Sequence, residues 1–509
     1  MKQKIYITTP IYYVNGNPHV GHAHTSVMGD ILKREALLNG MEVYFTTGVD
    51  EHGQKNETSI RESGLTSEAY LEQKSSIFRS LFDQLNVQYD RFVRTSAEAH
   101  KSAVQYVLQK VYDKGLIVKK EYEGLYCVGC EMFKTNADLD KNGFCVDHQT
   151  KPILMKESNY FFNLGAYQSW LIAYITDHPD WIQPNHFRNE ILNLLKEPLP
   201  DLCISRPKSR CSLGIELPFD RDYVTYVWFD ALISYISSLG YPNLSLRSHE
   251  FWLNSTHLMA KDIIKTHCIY WPIMLKAIDL EPQNCNLVHG YWTGAGGIKM
   301  SKSIGNVVDP QEVINKFGVD PFRYFLARTM GEGESPMSMD LIKNCYNAEI
   351  VNTISNGLYR VMKLAYKEFG GICPKVSELL PDDQAFLDSI IHQVQVCMEH
   401  SLSLSGIYER AKMVFAIGKM INGYFDKKTP WILAKDTNRS AFNSCILTCM
   451  ETLRLLAELC YPIMPETSDR MLLNLGVTSD WHIDYKIKNR VFTANFLLNK
   501  PIIMFKRME

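Results

Sequence analysis

The pattern of apolar and polar positions predicts that the chain begins with a strand, a helix and a second strand. A strand-like run, KIYITT (4–9), precedes a polar loop and a helical pattern from about Ala23 to Leu38, and EVYFTTGV (42–49) follows. This order is typical of a βαβ unit. Ligands of such units sit at the carboxyl ends of the strands, so residues just after the two strands are expected to meet in one crevice.

Further along the chain the same patterns predict an interrupted sheet and then a helical half. Helical periodicity runs through 66–115, and residues 120–165 are irregular, as in an inserted module. Strand and helix patterns return at 222–229, 256–260, 262–278 and 286–294. We therefore expect an α/β fold, a doubly wound, Rossmann-like parallel sheet split by an insertion. Apolar residues at helical spacing from about 340 to 475 predict an all-α bundle.

Composition and charge narrow the class of protein. The 509 residues are 46% apolar and 22% charged, which is typical of a folded globular chain. With 54 basic and 56 acidic side chains, the net charge is −2, so a polyanionic partner is expected to bind at local sites. The 13 cysteines, odd in number and unevenly spaced, favour a reducing compartment, and we expect a cytoplasmic protein. The absence of a signal-like start and of a long apolar run predicts no membrane span.

The first motif that carries chemistry is NPHVGH (17–22), at the predicted turn from strand to helix. Backbone N–H groups and the helix dipole favour a phosphate at such a turn, and His19 and His22 add two imidazoles. Two histidines in a surface loop are the alternative interpretation.

The second motif is KMSKS (299–303), in a glycine-rich loop after the last predicted strand. Lys299 and Lys302 supply ammonium groups that can meet negative charge developing on a phosphate. A lysine-rich surface loop is the alternative, but chance rarely produces both motifs at these two places.

Together the motifs resemble HIGH and KMSKS, the signatures of class I aminoacyl-tRNA synthetases, with Val20 in the isoleucine position. TPIYYVNGNPHVGH, GVDEHG, VWFDALISYI, AKDIIKTHCIYWPIML and FDKKTPWILAKD are similar to segments of the methionyl-tRNA synthetase family. The resemblance implies a methionine–tRNA ligase that uses ATP with Mg²⁺, L-methionine and methionine tRNAs. The methionine carboxylate would attack the α-phosphorus of ATP, pyrophosphate would leave, and methionine would pass to the 3′-terminal adenosine of tRNA.

The same resemblance implies which residues act. The ATP-binding residues would be His19, Gly21, His22, Asp262, Lys299 and Lys302, of which the two histidines and two lysines would be catalytic. The methionine pocket would be formed by Ile11, Tyr13, Asp50, Trp228, Ala231, Leu232, Tyr235, Ile263, His267 and Trp271. A carboxylate at the end of a strand can pair with an ammonium group, and aromatic rings suit a thioether. Ordinary core packing is the alternative for the aromatic residues.

One position departs from the family pattern. Where the family has GKD before its ribose-binding aspartate, this chain reads AKD, with Ala260 in the glycine position. We expect the added methyl to restrict positive φ and to crowd a ligand close to Asp262.

The irregular insertion contains a candidate zinc site. Cys127 and Cys130 form C-x2-C, and Cys145 and His148 form C-x2-H. Three thiolates and one imidazole complete a tetrahedral Zn²⁺ set with no open position, which predicts a structural site. Four residues without a metal are the alternative. The same positions bind zinc in family members with a single zinc knuckle.

The helical half contains candidate RNA contacts. Asn356 and Arg360 are one helical turn apart, and Trp431 follows Pro430. These residues match the family's anticodon readers and can offer hydrogen bonds and a stacking face to unpaired bases. A capped helix and a buried tryptophan are the alternative.

The resemblance also divides the chain into regions. We expect the catalytic sheet at 1–115 and 221–295, the zinc-bearing insertion at 116–220, the KMSKS and stem-contact region at 296–345, and the anticodon domain at 346–509. The chain has no β-rich appendage after the helices, so a monomer is expected.

Three rival functions remain. Synthetases for isoleucine, valine or leucine carry a much larger editing insertion. A nucleotidyltransferase with an HxGH needs neither KMSKS nor a helical half. A non-catalytic tRNA-binding paralogue should have lost a signature residue.

Overall fold

The structure is a computed structural model of the chain. It describes residues 2–128, 132–134, 138–146, 149–294, 297, 308–329, 333–374, 378–399, 402–477 and 496–509. The elements of the α/β half are β1 (Lys4–Tyr13), α1 (Val20–Leu38), β2 (Glu42–Asp50), α2 (Gln54–Ser63), α3 (Ser67–Gln84), β3 (Arg91–Arg94), α4 (Glu98–Asp113), β4 (Ile117–Cys127), β5 (Met132–Lys134), β6 (Ile153–Phe162), α5 (Gln168–Asp177), β7 (Ile182–Gln183), α6 (Asn185–Leu194), β8 (Leu202–Cys203), β9 (Ser205–Pro207), β10 (Glu216–Leu217), β11 (Asp220–Thr225), α7 (Val227–Ser237), α8 (Leu246–Leu253), β12 (Ser255–Ala260), α9 (Trp271–Ala277), β13 (Cys285–His289) and β14 (Trp292–Thr293).

The second half is mainly helical. Its elements are α10 (Pro310–Phe317), α11 (Val319–Thr329), β15 (Ser335–Pro336), α12 (Met339–Cys345), a π-helical segment (Tyr346–Ser355), α13 (Asn356–Phe369), β16 (Ile372–Cys373), α14 (Pro381–Glu399), α15 (Leu404–Lys428), α16 (Pro430–Leu433), α17 (Ser440–Cys460), α18 (Pro465–Leu475) and β17 (Phe496–Leu497). The predicted helical half is confirmed, with one short antiparallel pair, β16 and β17, added to it. Within the described part of the chain, no helix is both long and apolar enough to cross a lipid bilayer.

The central sheet has six strands in the order β3-β2-β1-β12-β13-β7. Every neighbouring pair is parallel, which confirms the predicted open parallel sheet. Consecutive residues in a strand face opposite sides, so Tyr6 and Ile7 enter different hydrophobic cores. One core joins the sheet to α1, α3 and the helical half, and the other covers the opposite face with α4, α7 and α9.

Helix α1 lies between the sheet and the helical half, and almost all of its residues are buried. Its charged side chains are therefore paired inside the protein. Asp30 accepts from Arg34 at 2.7 Å and from Arg323 at 2.6 Å, and Glu35 accepts from Arg410 at 2.6 Å. Because α1 begins at the predicted HxGH motif, these ion pairs connect the candidate site with the helical half.

Several elements differ from the sequence prediction. The helical stretch predicted at 66–115 is interrupted by β3, a short edge strand of the sheet. The strand predicted at 222–229 ends at Thr225, belongs to a separate antiparallel sheet with β9 and β10, and is followed by α7. The segment predicted as the insertion also supplies β7 to the parallel sheet, because Ile182 and Gln183 pair beside β13. The domain boundaries stay predictions.

Candidate active site

The carboxyl ends of four strands form one edge of the central sheet. Tyr13 at the end of β1 pairs with Asp50 at the end of β2, and Ala260 at the end of β12 pairs with His289 at the end of β13. The HxGH motif follows β1, and Asp262 follows β12 in a short 3₁₀ turn. The candidate residues therefore border the crevice in which open α/β sheets bind ligands.

The two histidines of the HxGH motif cap the N-terminus of α1. His19 is the N-cap residue, and its Nδ1 accepts a hydrogen bond of 3.0 Å from the Gly21 N–H. Nδ1 of His22 accepts a 3.0 Å bond from the His19 N–H, and the two rings stack with centroids 3.8 Å apart. Since both Nδ1 atoms accept, the proton of each neutral imidazole is on Nε2. Each ring is thus a donor through Nε2 at a helix end that favours anions.

Gly21 is required by the close approach of the first ring. A Cβ atom at this position would lie 2.9 Å from Cε1 and 3.1 Å from Nδ1 of His19. Any side chain at position 21 would therefore displace the imidazole from its capping position.

The last strand of the sheet contacts the same helix. Thr25 Oγ1 on α1 lies 2.9 Å from His289 Nε2 at the end of β13. The chain that leads toward KMSKS therefore leaves the sheet beside the first turns of α1. Lys299 and Lys302 themselves lie outside the described residues.

Aromatic side chains predicted for the methionine pocket form two contacting pairs. The rings of Tyr13 and Trp228 are edge to face, with centroids 6.4 Å apart. Tyr235 Oη is 2.7 Å from His267 Nε2, and His267 Nδ1 donates to the Ile263 carbonyl at 2.9 Å. The structure thus brings predicted pocket residues together in two pairs, which α7 connects because it carries both Trp228 and Tyr235.

The Tyr235–His267 pair is neutral at pH 7. Burial lowers the pKa of His267 to about 4, against the opposing effect of its bond to the Ile263 carbonyl. Burial raises the pKa of Tyr235 well above its usual value. Since His267 Nδ1 donates, its Nε2 accepts, and Tyr235 must be the donor of the bond between them.

A second line of polar contacts lies behind the pocket. Trp271 stacks edge to face with Tyr235, at 5.9 Å between centroids, and its Nε1–H donates to His257 Nε2 at 3.1 Å. The other nitrogen of His257 is 2.7 Å from Thr8 Oγ1. Sequence reasoning missed His257 and Thr8. The only signal in the sequence was the strand pattern THLMA (256–260), which contains His257. This pattern predicts a polar side chain within a buried strand, but it does not indicate which residue that side chain contacts.

The other predicted pocket residues lie on the same elements. Ile11 is half-buried on β1, whereas Ala231 and Leu232 are buried on α7. Asp50 is only 3% exposed, and its Oδ1 accepts from the backbone N–H of His52 at 3.2 Å. A nearly buried carboxylate at this edge is suited to an ammonium group.

The backbone at Ala260 does not need the positive φ that its methyl group restricts. Ala260 has φ −82° and ψ 157°, which is ordinary extended backbone that any residue adopts. Asp262, two residues later, is exposed beside the crevice. The expected crowding of a ligand near Asp262 stays a prediction.

Two of the four candidate zinc ligands, Cys127 and Cys145, lie in the described chain. Cys127 and Cys145 are fully buried, and both contact Thr150, through Sγ to Oγ1 at 3.7 Å and through N–H to the carbonyl at 2.9 Å. Cys130 and His148 lie outside the described residues. Cysteine thiolates are ligands that Zn²⁺ binds, so the two described side chains have the chemistry that the predicted site needs.

Two of the three candidate anticodon residues flank one aromatic ring. The Arg360 guanidinium lies 5.1 Å from the centroid of Phe425, whose ring is 6.0 Å from that of Trp431. Trp431 is 43% exposed, and Arg360 pairs with Asp426. Asn356 is exposed one turn earlier on α13. The three side chains thus lie along one surface of the helical half.

Two family models match successive parts of the chain. The family model described as "tRNA synthetases class I (M)" matches residues 5–145 and 134–362. The model described as "Anticodon binding domain of methionyl tRNA ligase" matches residues 373–509.

Known proteins resemble the chain over its whole length. It is 38% identical to the methionine–tRNA ligase of Fusobacterium nucleatum over 94% of this chain and 76% of that protein. It is 36% identical to that of Rickettsia felis over 100% of this chain and 99% of the relative. The Mycobacterium tuberculosis methionyl-tRNA synthetase in complex with methionyl-adenylate is similar in structure, with a TM-score of 0.94, 30% identity and complete coverage of both chains.

Proposed function

The chain belongs to the class I tRNA synthetases of the methionyl type, and on this premise we propose how its side chains divide the work of a methionine–tRNA ligase. The enzyme activates methionine with ATP, which yields methionyl-adenylate and pyrophosphate, and then charges tRNA with methionine. The observation that carries the assignment is the convergence of the HxGH cap and the aromatic pocket at one edge of the sheet.

On the amino-acid side, Asp50 pairs with the methionine ammonium group. Its burial at the end of β2 supports this role, because a desolvated carboxylate binds a cation more strongly than an exposed one. The rings of Tyr13, Trp228 and Trp271 pack against the thioether. The neutral Tyr235–His267 pair presents no charge to it, which favours an uncharged side chain.

On the nucleotide side, His19 and His22 bind the triphosphate through Nε2–H at the N-terminus of α1. Their capping bonds support this role because they fix both rings before ATP arrives. Lys299 and Lys302 stabilise the charge that develops as pyrophosphate leaves, Asp262 binds the ribose, and Mg²⁺ accompanies the phosphates as part of the substrate.

In the helical half, Asn356, Arg360 and Trp431 bind the anticodon of the methionine tRNAs. The exposed Trp431 face next to Arg360 supports base stacking combined with hydrogen bonding. Their elements are distinct from those that carry the pocket, so the two sites can be tested separately.

In the insertion, Cys127, Cys130, Cys145 and His148 hold one structural Zn²⁺. The burial of both described cysteines and their shared contact with Thr150 support this set. Metal analysis of the purified protein should find about one zinc per chain, and Cys145→Ser should lower that number. A zinc content that Cys145→Ser leaves unchanged would contradict the assignment.

We propose that the enzyme works as a monomer in the cytoplasm. The residues proposed for both substrates all belong to one chain, so the proposed active site needs no residue from a second subunit. The location is supported by the substrates, ATP and tRNA. Sedimentation of the purified protein with and without tRNA tests the oligomeric state.

The direct test of the function is ATP–pyrophosphate exchange with each of the 20 standard amino acids. We expect exchange with methionine, and at most weak exchange with isoleucine, leucine or valine. A folded preparation that supports no methionine-dependent exchange would refute the assignment.

A further inference from the structure

A carboxylate is buried between two imidazoles behind the methionine pocket. Asp230 on α7 has no exposed surface. Its Oδ2 lies 2.5 Å from His52 Nδ1, just after β2, and its Oδ1 lies 2.6 Å from His100 Nε2 on α4. The second nitrogen of His100 is 2.8 Å from Ser237 Oγ. One carboxylate thus joins three elements that are distant in sequence.

The two imidazoles favour the ionised form of the Asp230 carboxyl group. Burial by itself would raise the pKa of Asp230, but the charge of His52 and the hydrogen bonds from both imidazoles outweigh it and lower the pKa. The titratable groups that face Asp230 are His52 from the β2 end and His100 from α4. An ionised carboxylate accepts on both oxygens, so each imidazole must donate to it.

The position of Asp230 on α7 makes it an anchor for the pocket face of that helix. Trp228 and Tyr235 are two turns apart and share the face that lines the pocket. Asp230 and Ser237 are also two turns apart and share the opposite face, where both contact His100. These contacts fix the rotation of α7 about its axis and therefore the direction of the two pocket rings.

The same carboxylate holds the peptide that presents Asp50. The His52 side chain donates to Asp230, and the His52 backbone N–H donates to Asp50 Oδ1. Asn56 Nδ2 donates to the carbonyls of Asp50 and His52, at 2.9 and 2.8 Å. Between them, Glu51 is fully buried and paired with Arg94. The backbone around Asp50 is thus held from both sides.

We propose that Asp230, held between His52 and His100, is a positioning residue that sets the methionine subsite by fixing the Asp50 loop and the pocket face of α7 together. It touches neither substrate, and it acts on the ammonium partner and on the aromatic wall at once. The nucleotide residues His19, His22 and Asp262 lie on other elements. Loss of Asp230 should therefore weaken the binding of methionine and leave the binding of ATP unchanged.

The proposal rests on the proposed function, and its test separates the two. In ATP–pyrophosphate exchange, Asp230→Asn should raise the methionine KM at least about tenfold and leave the ATP KM within about twofold. The matched control is Asp383→Asn in the helical half, because Asp383 is also a buried carboxylate, bonded to Tyr424 and Ser444. This control should leave both KM values within about twofold, even if it unfolds at a lower temperature.

A second pair of variants keeps the test decisive if Asp230→Asn fails to fold. His52→Ala removes the donor to Asp230, whereas His52→Asn keeps an N–H close to the position of Nδ1. We expect the methionine KM to rise in His52→Ala and to recover in His52→Asn. Variants that leave the methionine KM unchanged, or raise both KM values equally, would overturn the proposal. Absence of methionine-dependent exchange in the unmodified protein would instead refute the proposed function.

Discussion

At the scale of single residues, the capping role of the HxGH motif supports the chemical role proposed for it. The Nδ1 atoms of His19 and His22 complete the cap of α1, so neither ring can turn without breaking a backbone hydrogen bond. A cap of this kind stabilises a helix by about 1 kcal/mol, so it can fix a side chain without dominating the stability of the protein. The Nε2 donors are therefore preorganised for a phosphate.

Replacement of His22 should affect the chemical step more than substrate binding. We expect His22→Ala to slow single-turnover formation of methionyl-adenylate by roughly 10²–10³-fold, because it removes one preorganised donor to the reacting phosphate. The methionine Kd should stay within about twofold. His249→Ala is the control, since His249 is exposed on α8. A rise in methionine Kd as large as the loss of rate would contradict the role.

Burial of His267 should make the stability of the protein depend on pH. Its pKa is about 4 in the folded protein and about 6.5 in the unfolded chain, so the unfolded chain binds more protons between these values. Stability should therefore fall as the pH is lowered from 6.5 to 4, by roughly 3 kcal/mol from this residue. Urea unfolding of the unmodified protein and of His267→Gln at several pH values measures this change in the free energy of unfolding. An equal pH slope in both proteins would contradict the prediction.

Residue types at strand ends could be predicted from the sequence, but their buried partners could not. His19, His22 and Asp50 stand in local patterns, next to predicted strands. The contacts of Asp230 with His100 and of Trp271 with His257 depend on how distant elements pack. No local pattern specifies such contacts, which is why these histidines were missed. The sequence also could not show that position 260 needs no positive φ, because this depends on the extended backbone that the chain adopts there.

At the scale of elements, α1 connects the nucleotide end of the crevice to the helical half. Its first turn carries the HxGH motif, and its later turns pair Asp30 with Arg323 and Glu35 with Arg410. Both pairs are almost fully buried, so each charged group needs its partner to offset the cost of its removal from water. The helix is therefore fixed against the helical half along its length.

Removal of one partner of the Glu35–Arg410 pair should lower the free energy of unfolding more than removal of both partners. We expect Arg410→Met to lower the free energy of unfolding by about 3–5 kcal/mol, because it leaves the Glu35 carboxylate buried without its cation. The double variant with Glu35→Gln should be more stable than Arg410→Met alone. Urea denaturation of the single and double variants measures the coupling. Strict additivity would show that the pair is not coupled.

The long elements were predictable because their periodicity extends over several turns or residues. Helix α1, strands β1 and β2 and the helical half follow the predicted pattern, although α1 begins at Val20 rather than near Ala23. The short strands β3 and β7 were missed, since two to four residues carry no distinct period. They join the sheet through pairing with β2 and β13, which is a tertiary effect.

At the scale of the whole molecule, amino-acid activation and tRNA recognition occupy different parts of the chain. The proposed methionine pocket lies on β1, β2, α7 and the segment after β12, whereas the proposed anticodon residues Arg360 and Trp431 lie in the helical half. Substitutions in the second group should therefore leave activation intact and change only the charging of tRNA.

Replacement of Trp431 tests this separation. We expect Trp431→Ala to leave methionine-dependent exchange within about twofold and to lower kcat/KM for tRNA by about 5- to 150-fold, which corresponds to the loss of one stacked base. Tyr366→Ala is the control, because Tyr366 is also a partly exposed aromatic residue but lies on a different helix, α13. Equal loss of exchange and of charging would contradict a separate anticodon site.

The most direct measurement for the whole protein is a crystal structure with methionine and a non-hydrolysable ATP analogue. The HxGH and KMSKS motifs are expected to bind one nucleotide from opposite sides, next to the bound amino acid. Nε2 of His19 or His22 and Nζ of Lys302 should then lie within about 3.5 Å of the same triphosphate, with the methionine ammonium group on Asp50. A nucleotide bound elsewhere, or Lys302 on a surface remote from α1, would contradict the active site described above.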